Sequence, residues 1–399
     1  MTNDERSSNN RITKEQTHKP HRHSGFDIPS AFGIRHSTLR RDVIASVPQL
    51  AELLPQIGKI DRIAVDTEAD SLHCYREKLC LIQISLPGRD YIVDPLAGVD
   101  LTPLSDALEP KEIVLHGADF DLRLLRRGLN FAARRIFDTV IAARLLGIQE
   151  FSLAVLVKRY FGVELGKGSQ KANWARRPLP ARMIEYAMND THYLLPLADR
   201  LESQLRERDR LDWLRQSCQR AIEQAAVERV RDENEIWRIR GSASLRSHEA
   251  AVLRALWQWR EKEAEAADRP PFHILQNHDL VNAAISFASG SVPDYRHFSS
   301  RRRQAFRRAA QSALQLPESK WPVSLRRVRT RPSPETVRRG EELRRRRDRA
   351  AKEFDLEPAF VAPRSVIEAI AGDQTRAATL LVPWQCELLG VFGKKATGP

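Results

Sequence analysis

Four acidic side chains and one tyrosine stand at the ends or along the faces of apolar segments: Asp66 and Glu68, Asp121, and Tyr186 with Asp190. Each segment dictates where its acid points. Ile63-Ala64-Val65 runs directly into Asp66-Thr67-Glu68 and reads as a buried strand. Residues two apart on a strand share a face, so Asp66 and Glu68 emerge together where the apolar stretch ends, a poor way to fill a core. A second apolar run, Ile113-Val114-Leu115, breaks at His116-Gly117-Ala118 into a helical pattern carrying Asp121 in its first turns, where a carboxylate suits the helix dipole. A third segment begins after Pro180 and reads as a long helix on which Tyr186 and Asp190, four apart, are neighbours. Together the three segments point to one acidic cluster with a phenol beside it.

Four carboxylates in one site repel each other at neutral pH unless protons or divalent cations compensate, and hard, oxygen-loving ions are the natural guests. Phosphodiester hydrolysis uses a pair of such ions about 4 Å apart, one lowering the pKa of the attacking water and the other stabilising the leaving oxygen. A tyrosine beside them would orient that water or help to deprotonate it.

The order and context of these residues resemble the DEDDy branch of 3'-to-5' exonucleases, and within it ribonuclease D. The likeness covers about Asp42 to Leu201. It is carried by Val65-Asp66-Thr67-Glu68 followed by Leu81-Ile82-Gln83-Ile84, and by Leu115-His116-Gly117-Ala118-Asp119-Phe120-Asp121-Leu122. Phe137-Asp138-Thr139 adds to it, as does Trp174-Ala175-Arg176-Arg177-Pro178-Leu179 leading to Tyr186-Ala187-Met188-Asn189-Asp190. The resemblance implies that Asp66, Glu68, Asp121 and Asp190 bind two Mg²⁺ or Mn²⁺ ions and that Tyr186 positions the water. It places the second-motif ligand at Asp121, leaving Asp119 to cap the following helix. Asp138 is expected to be a helix N-cap or an internal hydrogen-bonding residue. His116 reads either as a substrate contact or as a satisfied histidine bracing the acidic loop.

A formal net charge of +13 favours a polyanionic partner. Between Arg326 and Arg349 eleven arginines face four acids, the pattern of a solvated helix face and linker that also suits phosphate contact. Lys167-Gly168-Ser169-Gln170-Lys171 lacks periodicity and is expected to be a mobile loop beside the site. Lys167, Gln170 and Lys171 are candidate phosphate contacts, and Trp174 is either a packing anchor or a base-stacking platform. Cys74, Cys80, Cys218 and Cys386 are too scattered for a disulfide framework and lack zinc-type spacing. No run approaches the ~18 apolar residues of a membrane span, and the first residues are polar. These features predict a monomer in a reducing cytoplasm with neither membrane contact nor a small-molecule cofactor.

Beyond Leu201 the pattern is helical. Leu253, Leu256, Trp257, Trp259, Arg260, Ala264, Pro271, Ile274 and Leu280 resemble an HRDC domain. Arg347, Ala351, Asp355, Pro358, Val361 and Ile367 repeat the spacing of Arg260, Ala264, Asp268, Pro271, Ile274 and Leu280. The expected fold is thus an α/β ribonuclease H-like exonuclease domain, a mixed sheet flanked by helices with strands near Ile63, Leu81, Tyr91 and Ile113, followed by two all-α HRDC-like modules. Expected boundaries are a disordered polar tail (1–38), the nuclease (39–225), an HRDC domain (241–320), a basic linker (321–336) and a degenerate second module (337–395). A fragment ending near Glu223 holds every candidate ligand and is expected to retain the chemistry. The resemblance implies metal-dependent trimming of RNA from its 3' end, releasing 5'-nucleotides, on tRNA precursors and other small structured RNAs. Alternatives are a DNA exonuclease of the Werner type and a non-catalytic nucleic-acid-binding scaffold.

Overall fold

Short apolar runs bounded by turns make the sheet, and 3.6-periodic segments make the helices that cover it. The computed structural model describes residues 43–166, 168–227, 232, 235–323 and 332–391. The expected polar tail and most of the basic linker therefore lie outside the described residues.

In chain order the α/β part comprises β1 (Val43–Ile44), α1 (Val47–Gly58), β2 (Arg62–Ala69), β3 (Leu79–Leu86), β4 (Arg89–Val93), α2 (Thr102–Leu108), β5 (Glu112–Leu115), α3 (Asp119–Leu129), β6 (Arg135–Asp138), α4 (Thr139–Leu145), α5 (Leu153–Phe161), α6 (Ala181–His192), α7 (Leu194–Glu207) and α8 (Leu211–Ala226). The strands form one mixed sheet in the order β1-β4-β3-β2-β5-β6. β2-β3 and β3-β4 are antiparallel, whereas β1-β4, β2-β5 and β5-β6 are parallel. The four expected strands are β2, β3, β4 and β5. β1 and β6 were not foreseen: β1 has only two residues, and β6 has just Ile136 and Phe137 between an exposed Arg135 and the helix-capping Asp138.

Every residue of β3 is buried, as befits a central strand covered on both sides. Register sets which residues share a side. Asp66 stands opposite Gln83 and Glu68 opposite Leu81, so all four project from one face. The Ser85 hydroxyl on that face bonds Thr191 of α6 at 2.8 Å, and Arg62 of β2 bonds Glu202 of α7 at 2.7 Å. Tyr91, on the opposite face, donates to Gln56 of α1.

The first helical module contains α9 (Ser247–Ala266), α10 (Pro271–Ile274), α11 (Asn277–Ala288) and α12 (Ser300–Leu314), with its own core around Leu253, Trp259, Phe287 and Phe306. The second contains α13 (Pro334–Glu353), α14 (Pro358–Val361), α15 (Arg364–Gly372), α16 (Ala377–Leu380) and α17 (Pro383–Leu389). Residues at matching spacing do the same work in both. Asp268 and Asp355 follow the long helix in a left-handed conformation, φ 42° and 53°. Arg260 then donates to the Leu275 carbonyl and Arg347 to that of Ala362.

The modules join the α/β part differently. At the first, Tyr75 packs its ring against the module's core and donates its amide to Asp268 (3.2 Å), and Arg76 pairs with Glu265 (3.0 Å) beside it. The second shares the main core, to which Ala351, Leu356, Val361, Val382 and Trp384 belong. Trp384 stacks on Trp213 of α8 at 4.8 Å, and its ring nitrogen donates to Ser217. Arg210 ties the Leu145 and Phe354 carbonyls together. A fragment ending near Glu223 would therefore expose Trp213 and cut through a continuous core, which revises the expectation that it is self-sufficient. Among the described residues no helix is long and apolar enough to cross a membrane.

Candidate active site

β2 delivers Asp66 and Glu68 on one side of the sheet, and the irregularity between Glu68 and Ala69 ends its regular pairing with β3 just beyond them. α6 lays Asp190 against the same side. Carboxylate oxygens of Asp66, Glu68 and Asp190 lie within 4.8 Å of one another. Asp121, in the first turn of α3, is buried beside this group. One of its oxygens accepts from both the hydroxyl (2.5 Å) and the amide (3.1 Å) of Thr67, the residue between the two strand acids. Three candidate ligands thus converge, and the fourth is held at their edge by Thr67, whose part the sequence reading did not foresee.

Burial raises every one of these acids, and neighbouring carboxylates add to it, from within the cluster for Asp66, Glu68 and Asp190 and from Asp138 for Asp121. Desolvation is the largest cause throughout. Asp66 is pushed well above the carboxylate range by burial and then by Asp121, Asp190 and Glu68. Glu68 rises to about 9, Asp190 to about 7 despite a hydrogen bond from Tyr186, and Asp121 to about 6 despite the bonds from Thr67. Such a cluster either holds protons or waits for cations. Its all-oxygen donors suit hard divalent ions. The Tyr186 phenol is likewise raised, by burial first and then by Asp190 and Glu68, while Gln170 lowers it through a hydrogen bond.

The surroundings fix these groups. The Asp138 carboxylate caps α4 through the Val140 and Ile141 amides and also accepts from the amides of Gly117 and Ala118, joining α4 to the turn before α3. The expectation for Asp119 was wrong: α3 starts one residue earlier than a cap there would require, with Ala118 as N-cap and Asp119 already helical, and Asp119 pairs with Arg123 one turn on. His116 binds the Thr139 hydroxyl at 2.8 Å and its pKa is lowered by burial, a bracing arrangement.

Among the remaining nucleic-acid candidates, Lys167 lies outside the described residues. Gln170 reaches Tyr186, and the Lys171 carbonyl faces the His73 ring at 3.1 Å. Trp174 is 1% exposed, packed among Cys80, Leu81, Ile92, Met183 and Ala187, with its ring 6.1 Å from that of Tyr186. It is a packing anchor, since a buried ring offers no face to a base. The segment before α6 is fastened by Arg177, which grips both Asp94 oxygens (2.6 and 2.5 Å) and the Cys80 carbonyl (2.9 Å). Gln83, opposite Asp66, is fully buried with neither amide atom hydrogen-bonded. Arg177 lay within a quoted motif without a role, and only sheet register gives Gln83 its position.

A family model for a 3'-5' exonuclease matches residues 43–206, and one for an HRDC domain matches residues 249–287. Ribonuclease D of Sphingobium indicum is 34% identical over 247 residues, 61% of this chain and 63% of its own length. Exosome complex component 10 of Rattus norvegicus is 35% identical over 253 residues, which are 28% of that protein. The matched part thus spans less than two thirds of these relatives. Escherichia coli RNase D shares the fold, with a TM-score of 0.66 at 21% identity over 88% of this chain and 99% of that one. Residues 43–206 thus match a 3'-5' exonuclease domain with an HRDC domain behind it, and over that part the chain is similar to ribonuclease D.

Proposed function

We propose that this protein is a metal-dependent 3'-to-5' exoribonuclease that releases 5'-nucleotides and matures the 3' ends of tRNA precursors and other small structured RNAs, acting as a cytoplasmic monomer. The convergence of Asp66, Glu68 and Asp190 within 4.8 Å carries the reading. Asp66, Glu68, Asp121 and Asp190 would hold two divalent ions, Mg²⁺ or Mn²⁺, which when bound supply an acidified water and charge stabilisation at the scissile phosphate. The chain's own residues do the rest. Thr67 orients Asp121, and α6 keeps Asp190 one turn from Tyr186. Tyr186, whose phenol is raised by burial and by Asp190 and Glu68, would position the attacking water through its hydroxyl. Four raised acids are costly in a protein that only binds nucleic acid, which speaks against a scaffold. The relatives' names and the HRDC domain favour RNA over DNA.

End-labelled RNA and DNA of one sequence, incubated with Mg²⁺, Mn²⁺ or chelator, test the proposal. Expected are stepwise 3' shortening of RNA, its loss in chelator, and a fall of orders of magnitude in Asp190→Asn with RNA binding retained. Tyr186→Phe should be severely slowed yet still bind Mn²⁺. Unchanged turnover in Asp190→Asn would refute the assignment.

A further inference from the structure

β3 carries two polar residues among apolar ones, Gln83 and Ser85, and both are buried. They differ in what they meet. The Ser85 hydroxyl lies 2.5 Å from Asp90 and 2.8 Å from Thr191 of α6. Gln83 is 0% exposed, and among the described residues neither its amide nitrogen nor its amide oxygen has a hydrogen bond. A leucine would fill that space without stranding a donor and an acceptor, so stability alone does not account for a glutamine there.

Sheet register says where the amide sits. Gln83 stands between Asp66 on β2 and Ile92 on β4, with Leu81 and Ser85 before and after it on the same face. Leu81 and Ile92 pack with Ala187 of α6 and offer no polar atom. Ser85 is already engaged, which leaves Asp66 as the polar side chain beside Gln83 in the sheet. Directly opposed residues of an antiparallel pair have their Cβ atoms about 4.5–5.5 Å apart, within the reach of a glutamine. Asp66 accepts a hydrogen bond from the Thr67 amide and none from Gln83.

We propose that Gln83 is a positioning residue of the acidic site: its amide nitrogen donates to the Asp66 carboxylate when that group is charged and bound to a divalent cation, fixing which oxygen faces the ion. This rests on the metal-dependent reading and names the side chain that completes the surroundings of one ligand. A carboxylate ligand in a buried site needs a donor for the lone pairs that the cation does not use, and such partners orient the ligand. Thr67 does this for Asp121. A neutral amide suits Asp66 because it donates without adding charge, whereas a lysine or arginine there would itself compensate the acids and compete with the cation.

Mn²⁺ affinity of the full chain is measured by isothermal titration for the wild type, Gln83→Met and Gln83→Leu, alongside unfolding in chelator. Loss of the donor should raise the Kd about 10–100-fold, with the unfolding midpoint in chelator unchanged or raised. In protein carrying isotope-labelled glutamine, the Gln83 side-chain amide signal is identified by its absence from Gln83→Met. It should shift when Mg²⁺ is added to the wild type and stay in place in Asp66→Asn. A wild-type Kd in both variants, or a signal that moves equally in Asp66→Asn, overturns the proposal. So does a loss of affinity matched by a fall in chelator stability in both variants, the mark of a merely structural role. Wild-type protein that binds neither ion overturns the metal-dependent reading together with this one. Cation binding that depends on Gln83, without hydrolysis of RNA or DNA, would reject the exoribonuclease reading and keep the role of Gln83.

Discussion

Asp66 and its neighbours set an acid balance opposite to that of most proteins. A carboxyl whose folded pKa is raised contributes stability below its unfolded value, near pH 4, and loses it as pH climbs through the folded value. Here the folded values are about 6 for Asp121, 7 for Asp190 and 9 for Glu68, with Asp66 raised as well. In chelator, Asp66→Asn should therefore melt above the wild type at pH 9, the gap closing toward pH 5 as the native carboxyls regain protons. Thermal unfolding across that range checks it, and a gap widening toward low pH contradicts it. Bound divalent cations need deprotonated ligands, so their stabilisation should fade as pH drops. Gln83 makes a second residue-scale case. An unsatisfied buried amide costs about 1–3 kcal/mol, so Gln83→Leu, close in volume, should raise the stability of the metal-free protein by about 1 kcal/mol or more in urea titration. A loss would mean the amide has a partner after all.

At the scale of elements, the weight falls on the segment between α5 and α6. Its lysines and glycine read as a mobile loop, and nothing local contradicts that. Arg177 does, by reaching Asp94 at the end of β4 and Cys80 in β3. The partners are distant in sequence, and no periodicity connects them. Arg177→Ala removes charge-assisted bonds to a nearly buried carboxylate and should cost about 2–3 kcal/mol. It should also speed tryptic cleavage at Lys171 and Arg176 and slow hydrolysis, because Gln170 on the same segment meets Tyr186. Wild-type proteolysis rates in the variant would show that the segment is held by Trp174 alone. The helix bearing Tyr186 and Asp190 was legible because i,i+4 spacing and Pro180 at its start are local signals.

Across the whole molecule, the second helical module shares the core of the α/β part, whereas the first keeps its own core and meets that part through the connection at Tyr75 and Arg76. Trp384→Ala should cost about 3–5 kcal/mol and lower the unfolding of the nuclease sheet along with its own module, since Trp384 is sandwiched against Trp213 and Phe360. Arg76→Ala, at a seam where the two side chains are 82% and 55% exposed, should change stability by less than about 1 kcal/mol. Hydrogen exchange in β2 and β3 distinguishes the two outcomes.

What the sequence by itself determined is local: the strand that turns Asp66 and Glu68 to one side, the helix that pairs Tyr186 with Asp190, the placing of Asp121 in a first turn, and the repeated spacing of the two helical modules. Side-chain alternation and helical period are properties of a few consecutive residues, so a single chain displays them. Tertiary structure alone decided that Thr67 holds Asp121, that Arg177 clamps its segment, that Trp174 is buried, and that the core of the α/β part runs on into the last helices. Each of these depends on which side chains meet in space and on what water is excluded when they do. Those are pairings between distant segments, which no local pattern records.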